Sequence, residues 1–210
     1  MGINLFERIL EIAYTHRLSH LGSYFSSVDI IDYIYEQKED EDVFILSSGH
    51  CALALYVVLE KYRGINAEDL FVKHGGHPHR DEKDGIYCST GSLGMGLTVA
   101  IGRAVASPNQ MVYCLISDGE CAEGSIWEGL KYIYENNVNN IKVFVNVNGY
   151  AAYDAVDEIY LVDRLKVFMP DINIVYTSVN KFSFLRGLNA HYHVMSLEDY
   201  TLAKKELKNA

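Results

Sequence analysis

The chain has 210 residues, of which 49% are hydrophobic and 22% are charged, the proportions of a globular protein with a sizeable core. Its formal net charge of −10 argues against a nucleic-acid partner, which would require clustered lysine and arginine. The start is not a signal peptide, no apolar run reaches the roughly 20 residues that span a membrane, and the cysteines show no zinc-site spacing. We therefore expect a cytoplasmic protein with reduced thiols and no membrane partner.

Apolar periodicity predicts helices alternating with short buried strands. The first helix covers Leu5–Tyr14, and Ser27 is expected to cap a second helix that begins at Val28. The later elements are a strand at 42–47, helices at 50–62 and 66–73, a loop at 74–88, a glycine-opened helix at 91–106, a strand at 111–116, a helix around 127–134, a strand at 141–147, a helix around 159–168, a strand at 172–177 and a helix at 197–207. This order predicts an α/β fold with a mostly parallel sheet and helices on both faces. No linker is visible, so we expect one domain over residues 1–210.

Two apolar runs each end in a polar residue followed by glycine. The first run ends in Asp118-Gly119 and the second in Asn148-Gly149, with a helical segment between them. Parallel strands joined by a helix place both carboxyl ends at one sheet edge, where open α/β folds bind ligands. A carboxylate, an amide and a nearby carbonyl suit Mg²⁺, which takes its other ligands from phosphates and water. Each dipeptide alone is also a common turn, so only the combination favours a metal–phosphate site.

A glycine cluster, S-T-G-S-L-G-M-G-L, occupies residues 89–97 ahead of a helical run. Exposed N–H groups and the positive end of a helix dipole suit a phosphate. The cluster is neither a Walker P-loop nor a clean G-x-G-x-x-G, and close helix packing through small residues is the alternative.

Four histidines lie at or near the ends of separate predicted elements: His20, His50, His77 and His193. Such a set fits a site that binds a polyhydroxylated substrate and moves protons near neutral pH. The other histidines are expected to be solvated: His16, His74, His79 and His191. The helix dipole explains an acidic residue at position 123, at the start of the predicted helix. It explains Glu128, about a turn further on, less well.

Five ordered segments resemble the N-terminal region of transketolases. The stretch S-D-G-E-C-A-E-G-S-I-W-E with the later N-V-N-G resembles the thiamine-diphosphate signature of that family. The other four are residues 19–30, residues 42–56, G-G-H-P-H with 88–97, and the tail 182–193. The resemblance implies the thiamine-diphosphate-binding fold, with thiamine diphosphate and Mg²⁺ as cofactors.

The resemblance also assigns roles to individual residues. Asp118 and Asn148 would hold Mg²⁺ together with the carbonyl of Tyr150. The residues implied near the diphosphate and the thiazolium are Gly91, Ser92, Leu93, Gly119, His50 and His193. His20 and His77 would contact sugar hydroxyls, while Glu123 and Glu128 match acids that form a proton relay between paired active sites.

Several residues depart from the family pattern. Ser117 replaces the glycine before Asp118, and Ser19 and Leu21 replace the usual neighbours of His20. The chain is shortened after about residue 163, where a further strand and helix usually occur. The segment before His193 is also degraded, which makes that residue the weakest match.

The resemblance covers only one half of a transketolase, because the domain that binds the aminopyrimidine has no counterpart in 210 residues. It implies one subunit of a split enzyme, which would pair with a C-terminal subunit in an α2β2 assembly and transfer a two-carbon ketol unit between sugars or sugar phosphates. Two alternatives remain: half of another thiamine-dependent carboligase or 2-oxoacid decarboxylase, and a non-catalytic paralogue.

Overall fold

A four-stranded sheet forms the centre of the fold, in the order β1-β2-β3-β4. The computed structural model describes residues 3–209. The strands are β1 (Val43–Leu46), β2 (Val112–Ser117), β3 (Ile141–Val147) and β4 (Asn173–Tyr176). All neighbouring pairs are parallel, and Ser117 lies opposite Asn146 in the register of β2 and β3. The predicted α/β fold with a parallel sheet is confirmed.

Helices connect the strands and flank them. They are α1 (Leu5–Thr15), α2 (Leu21–Gln37), α3 (Ala52–Arg63), α4 (Ala67–His74), α5 (Met95–Ala106), α6 (Gly124–Glu135), α7 (Glu158–Phe168), α8 (Asn189–Tyr192) and α9 (Leu197–Lys208). None of the helices within residues 3–209 is both long enough and apolar enough to cross a membrane.

The core has two layers, one on each face of the sheet. Successive strand residues point to opposite faces, so Phe44 and Leu46 pack with α1, α2 and α3, whereas Val43 and Ile45 pack with α5 and α6. All four residues of β1 are buried, which explains its continuous apolar sequence. The four cysteines are buried and free, as predicted.

Helix α2 begins earlier than predicted. It starts at Leu21 after His20, whose backbone is left-handed with φ 65°, so the predicted cap at Ser27 is wrong. Ser27 lies inside the helix, is buried, and donates to Cys51 Sγ at 3.3 Å. Polar residues in this segment suggested a loop, but tertiary contacts satisfy them within a buried helix.

The glycine cluster forms a turn rather than the first turn of a helix. Helix α5 begins at Met95, and both Gly91 and Gly94 have positive φ angles of 112° and 80°. These angles are open to glycine and strained for other residues. The short helix α8, which the sequence pattern did not reveal, lies against α2 near Gly22.

A substitution at Gly22 tests the packing of α8 on α2. A methyl group at this position would lie 2.8 Å from Ala190 Cβ and 2.9 Å from Val179 Cβ. Gly22→Ala should therefore lower the free energy of unfolding by about 1–3 kcal/mol, measured by urea denaturation.

Gly102 is the matched control, since it is a helical glycine where an added methyl would lie more than 4 Å from every described atom outside its own stretch of helix. Gly102→Ala should raise the free energy of unfolding by about 0.5–1 kcal/mol. Equal effects of the two substitutions would show that the α2–α8 contact does not limit side-chain size at residue 22.

Candidate functional site

Asp118 lies directly after β2 and is almost fully buried, at 2% exposure. Its Oδ2 accepts hydrogen bonds from the N–H groups of Asn148 (2.8 Å) and Gly149 (2.7 Å), which follow β3. Its Oδ1 accepts from the Gly119 N–H at 2.9 Å. Because the two strands end in register, the sequence segments predicted to meet do meet at one edge of the sheet.

The electrostatics of Asp118 suit a cation. Burial raises the pKa of Asp118 to about 6, and the three backbone N–H groups oppose that rise without cancelling it. The nearby charge that acts on it, Glu158, raises the pKa further. A buried carboxylate held by dipoles and close to another acid gains stability from a bound cation.

Asn148 and Tyr150 bring further oxygen atoms to the same place. Asn148 Oδ1 accepts from the Tyr150 N–H at 3.1 Å, across the turn made by Gly149 with φ 84°. An added Cβ at Gly119 would lie 3.3 Å from the Tyr150 carbonyl oxygen, so this oxygen faces the Asp118–Gly119 turn. A carboxylate, an amide oxygen and a carbonyl oxygen are hard oxygen ligands of the kind that suit Mg²⁺.

A cleft of about 290 Å³, lined by Gly119, Asn148 and Tyr150, opens beside the turn that follows Asp118. Gly91 and Leu93 of the glycine turn line it, and Ser92 lies between them in the same exposed turn. The other residues that line it and that the sequence singled out are His20, His50 and His77. None of the described residues lining this cleft is lysine or arginine.

The histidines of the cleft form one cluster. The ring of His20 lies 5.7 Å from that of His50 and 6.5 Å from that of His77, measured between centroids. Burial lowers the pKa of His20 to about 4, and the neighbouring histidines lower it further. Burial also lowers the pKa values of His50 and His77. These imidazoles are therefore neutral at pH 7 and can both donate and accept hydrogen bonds.

His191, which we expected to be solvated, belongs to the histidine cluster. Its ring centroid lies 4.3 Å from that of His20, and its carbonyl accepts from the His20 N–H at 2.8 Å. His193 lies elsewhere: its Nε2 is 3.1 Å from Asp199 Oδ2 and its ring packs on Phe184. Helix α8 ends at Tyr192 and turns the chain between the two histidines, which local sequence alone does not reveal.

The structure does not bring Glu123 and Glu128 into the cleft. Both are exposed, Glu123 just before α6 and Glu128 within it. The acid that does line the cleft is Glu120, which is fully buried and was not singled out from the sequence. Its position two residues after Asp118 was the available signal, because the D-G-E segment turns immediately after the strand.

The fold and the site together define a parallel α/β domain with an oxygen-rich candidate ligand site at the carboxyl edge of its sheet. Residues 25–169 match the family model described as Transketolase, thiamine diphosphate binding domain. The chain therefore belongs to this family.

Named members of this family are similar to the chain over different fractions of its length. The chain is similar to a protein of Phocaeicola vulgatus that is named as one subunit of apulose-4-phosphate transketolase, with 31% identity over an alignment of 180 residues that covers 76% of this chain and 64% of that protein. Transketolase-like protein 2 of Mus musculus is 36% identical over 123 residues, covering 53% of this chain and 20% of that protein. The chain thus spans less than two-thirds of either relative.

A solved structure supports the fold assignment. Transketolase from Campylobacter jejuni superposes with a TM-score of 0.67 over 99% of this chain and 43% of that chain, at 17% sequence identity. At this identity the likeness shows a shared fold.

The low pKa of His20 should make the chain sensitive to acid. Below pH about 6.5 the unfolded imidazole binds a proton that the folded one does not accept until about pH 4, so acid favours the unfolded state. His20→Asn, which tolerates the left-handed backbone, should therefore lose less unfolding free energy than wild type between about pH 7.5 and about pH 5.

Urea denaturation at the two pH values measures this difference. At about pH 7.5 the imidazole is neutral in both states, so its protonation makes no contribution there and the comparison isolates the acid effect. An identical loss in both proteins would mean that His20 titrates normally in the folded chain.

Proposed function

We propose that this chain is the N-terminal, diphosphate-binding subunit of a split transketolase. The observation that carries the proposal is the convergence of Asp118, Asn148 and the Tyr150 carbonyl beside a cleft lined by neutral histidines. Similarity to a protein named as one subunit of a transketolase supports the split arrangement. Within this proposal, residues 1–210 form one domain that is shortened after about residue 163, and four residues separate α7 from β4.

Thiamine diphosphate and Mg²⁺ are the proposed cofactors. Asp118 and Asn148 would hold the metal through their side chains, and Tyr150 through its carbonyl oxygen. The backbone of Gly119 and of the turn 91–93 would approach the diphosphate, together with His50. When bound, the cofactor supplies the carbanion chemistry that breaks and forms the carbon–carbon bond.

The histidine cluster is the proposed contact for the sugar. Neutral imidazoles of His20 and His77 would hydrogen-bond to hydroxyl groups and take up or release a proton at a ring nitrogen. His191 lies within contact of His20, so we assign to His191 the place near the diphosphate and the thiazolium that the family resemblance implied for His193. A ketose or its phosphate is the substrate class that the proposal names.

A C-terminal subunit that binds the aminopyrimidine is the proposed partner, in an α2β2 assembly. Glu123 and Glu128 are exposed at the start of α6, where a second copy of the chain could reach them for the proton relay. Nearby apolar side chains on α5 are also exposed, including Met95 at 48%. Such surfaces favour a protein interface.

Asp118→Asn tests the metal site. The substitution keeps the shape but removes the charge, so Mg²⁺-dependent affinity for thiamine diphosphate should fall by about 100-fold or more, since even groups that only orient a metal ligand are worth about 10- to 100-fold. Titration calorimetry measures the affinity, and circular dichroism checks the fold. Asp163→Asn, at an exposed carboxylate on α7, is the matched control and should bind normally. Unchanged affinity in Asp118→Asn would remove Asp118 from the site.

Reconstitution tests the split arrangement. The purified chain alone should transfer no ketol unit from xylulose 5-phosphate, and activity should appear when the C-terminal subunit is added. Substituting pyruvate for the ketose phosphate in the same mixture separates transketolase from a 2-oxoacid decarboxylase half. Turnover by the chain alone would contradict the proposal, as would a preference for pyruvate.

A further inference from the structure

Glu120 is a buried acid that the proposed chemistry leaves unused. It is 0% exposed and lines the same cleft as the histidines. Taking a carboxylate out of water is costly unless hydrogen bonds compensate for the lost hydration. The hydrogen-bond donors around Glu120 therefore indicate what the residue does.

The carboxylate of Glu120 joins three separate segments. Its Oε1 accepts from the Ser47 hydroxyl, directly after β1, and from the Gly94 N–H at 2.6 Å, directly before α5. Its Oε2 accepts from the Ser117 N–H at 3.3 Å, at the end of β2. One side chain thus connects the ends of two strands to the glycine turn.

The glycine turn is also confined from other directions. At Gly94 an added Cβ would lie 2.3 Å from Ser125 Oγ, and at Gly96 it would lie 2.5 Å from Ser47 Cα. Gly94, the last residue of the turn, therefore packs against α6, and Gly96, in the first turn of α5, packs against the end of β1. Among these contacts, the bond from Gly94 to Glu120 is the one that fixes a backbone N–H of the turn.

We propose that Glu120 is a positioning residue that fixes the glycine turn 91–94 against the ends of β1 and β2, and thereby sets the turn's backbone for an anionic ligand. This inference rests on the proposed function for the identity of the ligand, a diphosphate. The fixed position of the turn does not depend on the proposed function, because it is a property of the chain alone.

The first test uses the chain without ligand. Glu120→Ala removes the acceptor of the Gly94 N–H, so amide hydrogen exchange across residues 89–97 should accelerate by about tenfold or more, measured by mass spectrometry. Glu120→Gln keeps one oxygen for the Ser47 and Gly94 donors, and exchange should return to within about threefold of wild type.

Asn140→Ala is the matched control for general destabilisation. The Asn140 side chain also makes three hydrogen bonds, to the carbonyls of Ala104, Ser107 and Gln110, but at the opposite edge of the sheet. This variant should lose stability and leave exchange across residues 89–97 unchanged. If Glu120→Ala does not fold, Ser47→Ala keeps the carboxylate, removes one of its donors and should give a smaller acceleration in the same segment.

The second test measures affinity for thiamine diphosphate with Mg²⁺ by calorimetry. Glu120→Ala should weaken binding by about 10- to 100-fold, Asn140→Ala should leave it unchanged, and Glu120→Gln should restore most of it. Equal losses in the alanine variants, or failure of the glutamine to restore slow exchange, would overturn the positioning role. If wild type binds no cofactor but the exchange results hold, the proposed function fails and the role of Glu120 stands.

Discussion

The parallel pairing of β2 with β3 is the constraint on which the site depends. Ser117 lies opposite Asn146, so the residues that follow each strand leave the sheet at the same edge. There the Asp118 carboxylate binds the backbone of the second strand's turn through two N–H groups. The bond network forms only in this register, since a slip of one residue would turn every strand side chain to the opposite face. A sheet buried on both faces holds that register firmly.

The site offers a diphosphate almost no positive charge of its own. The chain carries a net charge of −10, no described residue lining the cleft is lysine or arginine, and the pKa values of its histidines are lowered by burial. Backbone N–H groups of the glycine turn supply only partial charges. We therefore propose that a metal ion held by Asp118 supplies the counter-charge for an anionic ligand. In this proposal the buried Asp118 holds the metal ion, and the metal ion balances the negative charge of the cofactor.

The sequence predicted the elements whose cause is local or periodic. Strand β3 appeared at its predicted bounds, and the meeting of Asp118 with the Asn148–Gly149 turn followed from strand order alone. Ser27 was misjudged because serine favours caps, whereas contacts with Cys51 and the core keep it inside α2. His191 and His193 lie two residues apart, and only the direction of the short helix α8 decides which one reaches the cleft. Such choices depend on tertiary packing, which periodicity does not encode.

We propose that this chain binds the diphosphate end of thiamine diphosphate through Mg²⁺. Competitive titration of the isolated chain with thiamine diphosphate, inorganic pyrophosphate and thiamine tests it most directly, with Mg²⁺ and with excess chelator. We expect pyrophosphate to displace the cofactor in the presence of Mg²⁺, thiamine to show no binding, and the chelator to abolish both interactions. Binding of thiamine as tight as that of the cofactor, or binding that persists without the metal, would contradict the account.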